Sequence, residues 1–395
     1  MNDDLSRRDF ARGAAMGGAF FAAGANIEST GGGGAAMETT MLDVRAFGAK
    51  GDGKADDTAA IQKAIDNAAE IKGAVFVSPG TYLCSTVKTR RAVAMVGIPA
   101  WDYRRGGGSV LKLADEKAAC LLDLTDGQGV TLDGLSFDGG RLGKGIHGIF
   151  MNKPEEKQED AFRIERCRVY RFTGDGVRLM HSWCFSMRQS SIASNGGDGL
   201  FVDGWDAFIM DNWLSGNGGC GFGRGELCAV TMTANRIEWN REGGILLQGA
   251  NSYNITGNYI DRSGKAAITI TSSEKWGNSK QITVTGNFLN RSGKDADGDS
   301  FDSSQLLLDG VEGLTFVGNV LVAGTDDRRQ GKLTPTYAIV YKNCANTVIK
   351  DNVLHNASTK ELIRDLGGHG DGVIVKDNPG QLMAPPAPKV ESTSA

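Results

Sequence analysis

The sequence has little of several features that mark other classes of protein. It contains only 8 prolines and 4 histidines, and its 43 Lys and Arg residues do not outnumber its 47 Asp and Glu residues. A net charge of −4 offers no basic excess for a phosphate backbone, which argues against nucleic acid as a partner. The low proline content argues against a long disordered linker, and 395 residues suffice for one extended domain with a large core.

The 7 cysteines do not have the spacing of a zinc site or of a complete disulfide framework. Their number is odd, they form no CxxC motif, and most have apolar neighbours. We therefore expect buried free thiols, with a bridge between Cys220 and Cys228 left open as the alternative.

The chain begins with a segment typical of export. Ser6-Arg7-Arg8-Asp9-Phe10 precedes an apolar stretch over 14–25 that is too short to span a bilayer. The segment resembles a twin-arginine signal, although an Arg-Arg pair on a surface helix would look the same. We expect residues 1–36 to be a signal peptide with a flexible lead, and the mature chain to be periplasmic or secreted. No second apolar run of about 20 residues follows, so no membrane anchor is predicted.

Glycine is abundant, at 56 residues, and it separates short alternating runs of Val, Ile and Leu, as in many short strands joined by tight turns. The segment Ile255-Thr256-Gly257-Asn258-Tyr259-Ile260 recurs along the chain, with its first copies 23 residues apart. A unit this short cannot bury a core alone, so successive units must stack as a parallel β-helix. Asparagines at one turn position would form a hydrogen-bonded ladder, about 4.8 Å from coil to coil, and we assign them no catalytic role. The ladder positions are Cys167, Ser190, Asn212, Asn235, Asn258, Asn287, Asn319, Asn352 and Asn378.

A helix is predicted where this domain begins. Asp56-Asp57-Thr58 would cap a helix over 58–71, between a strand and glycine turn over 43–53 and a strand over 75–82. Its apolar face is Ile61, Ala64, Ile65 and Ala68. This opening closely resembles the pectate-lyase-like superfamily, which includes polygalacturonases, polysaccharide lyases and phage tailspikes. The resemblance implies a right-handed, single-stranded parallel β-helix over 42–380, with a helix capping its first coil and a tail over 381–395, and it specifies fold better than reaction.

Counting back from the asparagine ladder locates another strand in each coil. Alternation turns every second side chain of that strand outward, so the outward columns are where we expect chemistry. The strands are predicted to begin at Ile149, Val177, Leu200, Phe222, Ile245, Ile268, Leu306 and Ile339. The outward columns are Asn152, Met180, Asp203, Gln248, Thr271, Asp309 and Lys342, and beside them Arg178, Phe201, Leu246 and Thr269.

One coil breaks the alternation. Strict counting buries Arg224, but the glycines around it permit a bulge that turns Arg224 and Glu226 outward beside Asp203. Together with Arg178 and Gln248 they would form one polar constellation. Glycosidic cleavage needs two carboxyl groups, one to protonate the leaving oxygen and one to act as nucleophile or base, and arginine support separates their roles. A ladder of ion pairs on a solvated face is the alternative.

Other side chains of the same face suit a saccharide. Trp183 and Trp205 could stack on a sugar ring or plug the corners of their coils, and His181 could assist proton transfer or make a structural hydrogen bond. Inserted loops at 153–160 and 272–280, with longer connections before Leu306 and Ile339, would wall a cleft over the face. The predicted substrate-binding residues are Gln248, Trp183, Trp205, Thr271, Asp309 and Lys342.

An acidic loop in one of these connections is a candidate calcium site, formed by Asp295, Asp297, Asp299 and Asp302. Closely spaced carboxylates can hold Ca²⁺, but the spacing is not that of an EF-hand, and a solvated acidic loop is the alternative. No cofactor is required by the predicted chemistry.

The leading hypothesis is an exported enzyme that cleaves glycosidic bonds of a poly- or oligosaccharide, as hydrolase or transglycosidase. The β-helix enzymes that form fructose dianhydrides from inulin share the general pattern of glycine turns and repeated asparagines, without a residue-by-residue match. A polysaccharide lyase, with Arg178, Arg224, Lys275 or Lys342 abstracting a proton, and a non-catalytic binding or structural β-helix are the alternatives. Association of the rods as homotrimers stays open.

Overall fold

The computed structural model describes residues 40–100, 107–154, 159–223, 228–327 and 331–384. The predicted signal peptide and most of the C-terminal tail lie outside these ranges, so both stay predictions. The described chain consists of strands, one 3₁₀-helix (Val44–Phe47) and one α-helix, α1 (Thr58–Ile71). None of its helices is long and apolar enough to cross a membrane.

The strands in chain order are β1 Met41–Asp43, β2 Asp52–Asp56, β3 Ala74–Val77, β4 Gly80–Cys84, β5 Val87–Lys88, β6 Ala94–Gly97, β7 Ser109–Leu113, β8 Cys120–Asp123, β9 Thr131–Asp133, β10 Leu135–Asp138, β11 His147–Asn152, β12 Arg163–Glu165, β13 Arg168–Tyr170, β14 Val177–Arg188, β15 Ser191–Ala193, β16 Leu200–Met210, β17 Trp213–Ser215, β18 Phe222–Gly223, β19 Cys228–Thr233, β20 Arg236–Glu238, β21 Ile245–Gln248, β22 Asn251–Thr256, β23 Tyr259–Asp261, β24 Ile268–Thr271, β25 Ser279–Thr285, β26 Phe288–Asn290, β27 Ser304–Val317, β28 Val320–Val322, β29 Tyr337–Ala345, β30 Val348–Lys350, β31 Val353–Leu354, β32 Glu361–Asp365 and β33 Ile374–Lys376.

These strands pair in parallel, coil on coil, and form a right-handed parallel β-helix with three faces. The first face contains β5, β8, β11, β18, β21, β24, β29, β32 and the beginnings of β14, β16 and β27. The second face contains β1, β3, β6, β9, β12, β19, β22, β25, β30, β33 and the ends of β14, β16 and β27. The third face is a separate sheet of 12 strands, from β2 to β31. The predicted fold class is confirmed.

The predicted register of the first face is also confirmed. Ile149 pairs with Val177, Val177 with Leu200, and so on through every predicted strand start to Ile339. The residues of this column are fully buried, and their alternate neighbours point outward. Phe201 differs from the prediction: it occupies an outward position but is only 6% exposed, because the guanidinium of Arg178 lies 3.9 Å from its ring centroid and covers it.

The asparagine ladder forms as predicted. Each Nδ2 donates to the Oδ1 of the asparagine in the next coil, at 2.9–3.1 Å from Asn212 to Asn378. Ser190 and Cys167 continue the column, because the backbone N–H of Ser190 donates to Asn212 and that of Cys167 donates to Ser190 Oγ. A second ladder was not predicted: Asn195, Asn217 and Asn240 are joined in the same way at the next turn.

Helix α1 has the predicted bounds, and its buried residues are the four predicted ones. It packs against β1 and β3 and so covers the first coil. The predicted cap is only partly correct. Asp56 Oδ1 accepts the backbone N–H of Thr58 at 2.9 Å, whereas the Asp57 carboxylate accepts the N–H groups of Lys50 and Gly51 and instead holds the preceding glycine turn.

The bulge predicted at Arg224 and Glu226 falls on residues 224–227, which lie outside the described ranges. It therefore stays a prediction. Within the described residues, a register shift lies in the pairing of β14 with β16, between Met180 and Ser182. There the corner before Trp205 is shortened by Gly204, where a Cβ atom would lie 1.8 Å from the carbonyl oxygen of Ser182.

The six cysteines whose side chains are described are free thiols, and five of them are buried. Cys220 is among them, so the alternative of a Cys220–Cys228 bridge is wrong for this structure. Burial raises the pKa of the Cys220 thiol to about 12, which keeps it protonated and unreactive at neutral pH.

Replacing Asn258 by alanine should lower the free energy of unfolding by about 2–4 kcal/mol, because it leaves buried polar groups of Asn235 and Met232 without partners. Asn254→Ala is the matched control, since Asn254 is exposed in the strand just before Asn258 and its side chain accepts a hydrogen bond from the nearby Thr256 hydroxyl. Urea unfolding should show a change below about 0.5 kcal/mol for this control. Equal effects of the two substitutions would contradict a stabilising role of the ladder.

Candidate functional site

The side chains that begin the first face form an unbroken chain of hydrogen bonds that the sequence analysis did not identify. We call this the upstream column; it consists of His147, Asp175, Asp198 and Cys220, each two residues before a member of the buried column that contains Ile149, Val177, Leu200 and Phe222. His147 Nδ1 accepts the N–H of Asp175 at 3.0 Å, Asp175 Oδ1 accepts that of Asp198 at 2.7 Å, and Asp198 Oδ1 accepts that of Cys220 at 2.6 Å. Two carboxyl groups are therefore fixed at matching positions of adjacent coils.

Glycines beside these residues allow the carboxyl groups to lie against the next coil. A Cβ atom on Gly197 would be 2.1 Å from Asp175 Oδ1, and one on Gly219 would be 2.1 Å from Asp198 Oδ1. The sequence signal is a Gly-Asp-Gly motif directly before β14 and β16, which are neighbours on the first face; the motif occupies residues 174–176 and 197–199. The counting that located the strands began two residues too late to include it.

Asp198 is the carboxyl group of the column with the unusual titration. Burial raises its pKa to about 6, the nearby charge of Asp175 acts in the same direction, and the hydrogen bond from Cys220 opposes the shift. Among the described residues, none donates a hydrogen bond to its second oxygen, Oδ2. Asp198 can thus carry a proton on Oδ2 in mildly acidic conditions.

Asp175 lies in a more polar position. Its Oδ2 receives a hydrogen bond from the Arg178 guanidinium at 2.9 Å and lies 3.5 Å from His147 Nδ1. Because His147 Nδ1 accepts a backbone N–H, the neutral ring carries its proton on Nε2. Burial lowers the pKa of His147, which favours this neutral form. The Asp175 carboxylate is thus paired with a guanidinium, whereas the Asp198 carboxyl group in the next coil can take up a proton.

The predicted constellation is only partly assembled. Asp203 is half-buried at its predicted position, in register with Met180, and Gln248 lies in the same column two coils along. The sequence analysis placed Arg178 beside Asp203, but in the structure its guanidinium pairs with Asp175, three residues before it. Arg224 and Glu226 lie outside the described residues, so the pairing of Asp203 with Glu226 stays a prediction.

His181 and Trp183 lie at the corner where the first face meets the second, as predicted, and both are fixed by polar contacts. His181 Nδ1 lies 2.7 Å from the carbonyl oxygen of Lys153, and the Trp183 indole N–H donates to Asp206 at 2.7 Å. Trp205 pairs in register with Trp183. Behind them, the Lys153 ammonium and the Asp160 carboxylate form a buried ion pair at 2.6 Å. Asp160 also accepts the backbone N–H of Trp183, so the inserted loop supports the corner.

The remaining predicted binding residues continue the outward column in register, from Gln248 to Thr271, Asp309 and Lys342. The Lys342 ammonium pairs with the Asp309 carboxylate at 3.0 Å, and Asn343 donates to the same carboxylate at 2.8 Å. This end of the face is therefore internally neutralised.

The predicted calcium ligands do not converge. Asp295 pairs with Lys294, and the side chain of Asp299 is 94% exposed. Over the described parts of the chain, no three acidic, histidine or cysteine side chains are grouped closely enough to hold a metal ion. The backbone N–H of Asp299 donates to Asp297 at 3.3 Å, and that of Asp302 to Ser300, as in an acidic turn. A calcium site here stays a prediction.

The fold and the site together define the class of protein: a parallel solenoid with a column of polar side chains beside one face. A family model described as right-handed β-helix region matches residues 122–289 and, overlapping, 175–380, and another, described as rhamnogalacturonase A/epimerase, pectate lyase-like, matches residues 41–103. The first spans more than half of the sequence, and the chain belongs to the right-handed β-helix family. The resemblance inferred from the opening segment is confirmed.

Several solved structures share the fold. The A-module of mannuronan C-5 epimerase AlgE6 from Azotobacter vinelandii is 19% identical, with a TM-score of 0.62 over 87% of this chain and 100% of the module. DFA-IIIase from Arthrobacter chlorophenolicus, without its lid, is 15% identical, with a TM-score of 0.59 over 88% of this chain and 100% of its own. Tailspike protein 2 of bacteriophage CBA120 is 14% identical, with a TM-score of 0.51 over 82% of this chain and 46% of its own. The comparison with curated proteins finds no match.

The raised pKa of Asp198 predicts a pH-dependent stability. The folded chain binds this proton more tightly than the unfolded chain, so raising the pH from about 4 to about 7 removes up to about 2–3 kcal/mol of stability from the wild type. Asp198→Asn keeps the acceptor for Cys220 and lacks the charge. Its unfolding free energy, relative to wild type, should therefore increase over this pH range in urea titrations. A difference that stays constant with pH would contradict the assignment.

Proposed function

We propose that this protein is a carbohydrate-active enzyme that cleaves glycosidic bonds of a poly- or oligosaccharide bound along the first face. The observation that carries the proposal is the pair formed by Asp175 and Asp198, at equivalent positions in consecutive coils but in different electrostatic surroundings. The fold alone would not select this function. The solved structures that share it include a mannuronan epimerase, a DFA-IIIase and a phage tailspike, so carbohydrate is the substrate class their names support.

Asp198 is the proposed proton donor. Cleavage of a glycosidic bond requires a group that gives a proton to the leaving oxygen, and a pKa of about 6 keeps that proton on the carboxyl group in mild acid while still allowing its transfer. Oδ1 is held by the backbone of the next coil, which fixes the direction of Oδ2.

Asp175 is the proposed charge-stabilising carboxylate. Positive charge develops on the sugar ring as the bond breaks, and a fixed carboxylate nearby lowers the energy of that state. Both of its oxygens already accept hydrogen bonds, from Asp198 N–H and from Arg178, so we assign it this electrostatic role instead of nucleophilic attack. A water molecule then adds to the anomeric carbon and returns a proton to the Asp198 carboxylate, which closes the cycle.

The predicted pair Asp203 and Glu226 is a separate proposal for the same reaction. Five residues of extended chain separate Asp198 from Asp203, or about 16 Å between their Cα atoms, which is too far for one donor and one nucleophile to share a bond. Mutagenesis can therefore distinguish the two pairs. We also retain the proposal that the chain is exported through its twin-arginine segment.

Asp198→Asn should reduce kcat by about 10²–10⁴-fold on the substrate, because the general acid is lost while its hydrogen bond to Cys220 is kept. The measurement is a screen for new reducing ends on inulin, polygalacturonate and mannuronan, followed by kinetics on the best substrate. Asp203→Asn and Glu226→Gln are the comparison.

Full activity of Asp198→Asn together with loss of activity in either comparison variant would move the site to the other pair. An unsaturated product, detected by its ultraviolet absorbance, would replace hydrolysis by elimination. Binding without any product would favour a non-catalytic β-helix.

A further inference from the structure

One hydrogen-bond donor of the upstream column has no role in the reaction proposed above. The ring of His147 carries its proton on Nε2, because Nδ1 accepts the backbone N–H of Asp175 at 3.0 Å. Among the described residues none accepts a hydrogen bond from Nε2, and this atom is not one of the buried polar atoms that lack a partner. The Nε2–H group is therefore open to solvent, although the side chain as a whole is only 20% exposed.

The imidazole ring of His147 is held on two sides, so the direction of its Nε2–H group is fixed. The backbone of the next coil holds Nδ1, and the ring of Phe150 stacks on the imidazole with the centroids 5.5 Å apart and the planes at 13°. Gly174 leaves room for the ring, since a Cβ atom there would lie 2.8 Å from His147 Nδ1. A donor that is fixed before binding loses little entropy when a ligand accepts its hydrogen bond.

The stacking of the coils does not require a histidine at this position. Asp175 and Asp198 meet the same need with a carboxylate oxygen, which accepts the backbone N–H of the following coil. His147 meets it with Nδ1 and adds a donor elsewhere on the ring. The fold therefore accounts for Nδ1 of His147 and leaves Nε2 available to a ligand.

His147 lies at the same border of the first face as the proposed proton donor. Both belong to the upstream column, and two coil steps separate them, from His147 to Asp175 and from Asp175 to Asp198. At the spacing of parallel strands, these two steps are about 10 Å along the axis. One sugar ring cannot reach both groups, so a saccharide lying along the face would meet His147 one ring beyond the cleaved bond.

We infer that His147 is a substrate-binding residue, whose Nε2–H donates a hydrogen bond to a hydroxyl oxygen of the saccharide, one ring beyond the bond cleaved at Asp198. The inference rests on the proposed function and adds one subsite to the same site. The Nδ1 contact requires the neutral ring, and burial lowers the pKa of His147 in the same sense. A donor without net charge suits the hydroxyl oxygens that every sugar ring carries.

His147→Asn keeps an acceptor for the Asp175 N–H but is too short to place a donor where Nε2 lies. It should raise Kd for a hexasaccharide about five- to ten-fold, which corresponds to the loss of one hydrogen bond. Kd is measured by calorimetry in the Asp198→Asn chain, with hexasaccharides derived from inulin, polygalacturonate and mannuronan. In the chain with Asp198 intact, the change should appear in KM and not in kcat. His355→Asn is the matched control, since His355 is exposed and directly follows β31 on the third face.

His147→Gln is the opposite variant, because it offers an N–H near the position of Nε2 and no acceptor near that of Nδ1. It should keep Kd within about two-fold of its parent, while the midpoint of its urea unfolding falls. The chain has 4 histidines, so nitrogen NMR can resolve the His147 ring. Addition of the saccharide should shift its Nε2 resonance, which a purely structural histidine would not show.

An unchanged Kd in His147→Asn, an equal rise in His355→Asn, or an Nε2 resonance that does not move on binding would overturn the subsite. So would an equal loss of affinity in His147→Asn and His147→Gln, because the histidine would then act only through the fold. The proposed function fails separately, and the subsite with it, if the wild-type chain neither binds nor cleaves any member of the panel.

Discussion

The stacking of equivalent positions in successive coils is the constraint on which the rest of this structure depends. Each coil exchanges backbone hydrogen bonds with the next one at equivalent positions, and buried ladders such as that of Asn235 and Asn258 hold the turns at the same spacing. Because the register is kept, side chains about two dozen residues apart in sequence become neighbours in space. Asp175 and Asp198 meet only for this reason, and a shift of one residue would turn inward-facing side chains outward.

Close stacking of the coils also sets the electrostatics of the upstream column. Gly197 and Gly219 leave no side chain between a carboxyl group and the next coil, so the carboxyl group contacts backbone directly. The same contact removes Asp198 from water and raises its pKa, whereas Asp175 is reached by the guanidinium of Arg178. Two identical residue types thus differ in chemistry because their neighbours differ by one coil.

Much of the fold could be predicted because repetition makes each inference checkable against the next copy. The asparagine spacing predicted the ladder, and the ladder then located the strands of the first face from Ile149 to Ile339 in the correct register. The site was less accessible to this reasoning. The orientation of Arg178 depends on which carboxylate is nearer, and the alternation of a strand says nothing of the turn before it, where Asp175 and Asp198 lie. The corner at Gly204 is shorter because of one close contact with the Ser182 carbonyl oxygen, and a repeat in the sequence does not predict a single contact of this kind.

The composition of the upstream column bears on whether its carboxyl groups serve the fold or a reaction. Every member accepts the N–H of the next coil, and neutral groups do so as well: His147 at one end, and at the other Cys220, whose Sγ accepts from Gly243 at 3.4 Å. The fold therefore needs an acceptor at this position but not a charge. An aspartate whose pKa is raised to about 6 destabilises the folded chain at neutral pH, and a neutral acceptor would avoid that cost. Residues kept at the expense of stability are concentrated where binding or catalysis requires them, and this physical argument favours Asp198 as a functional residue over a purely structural one.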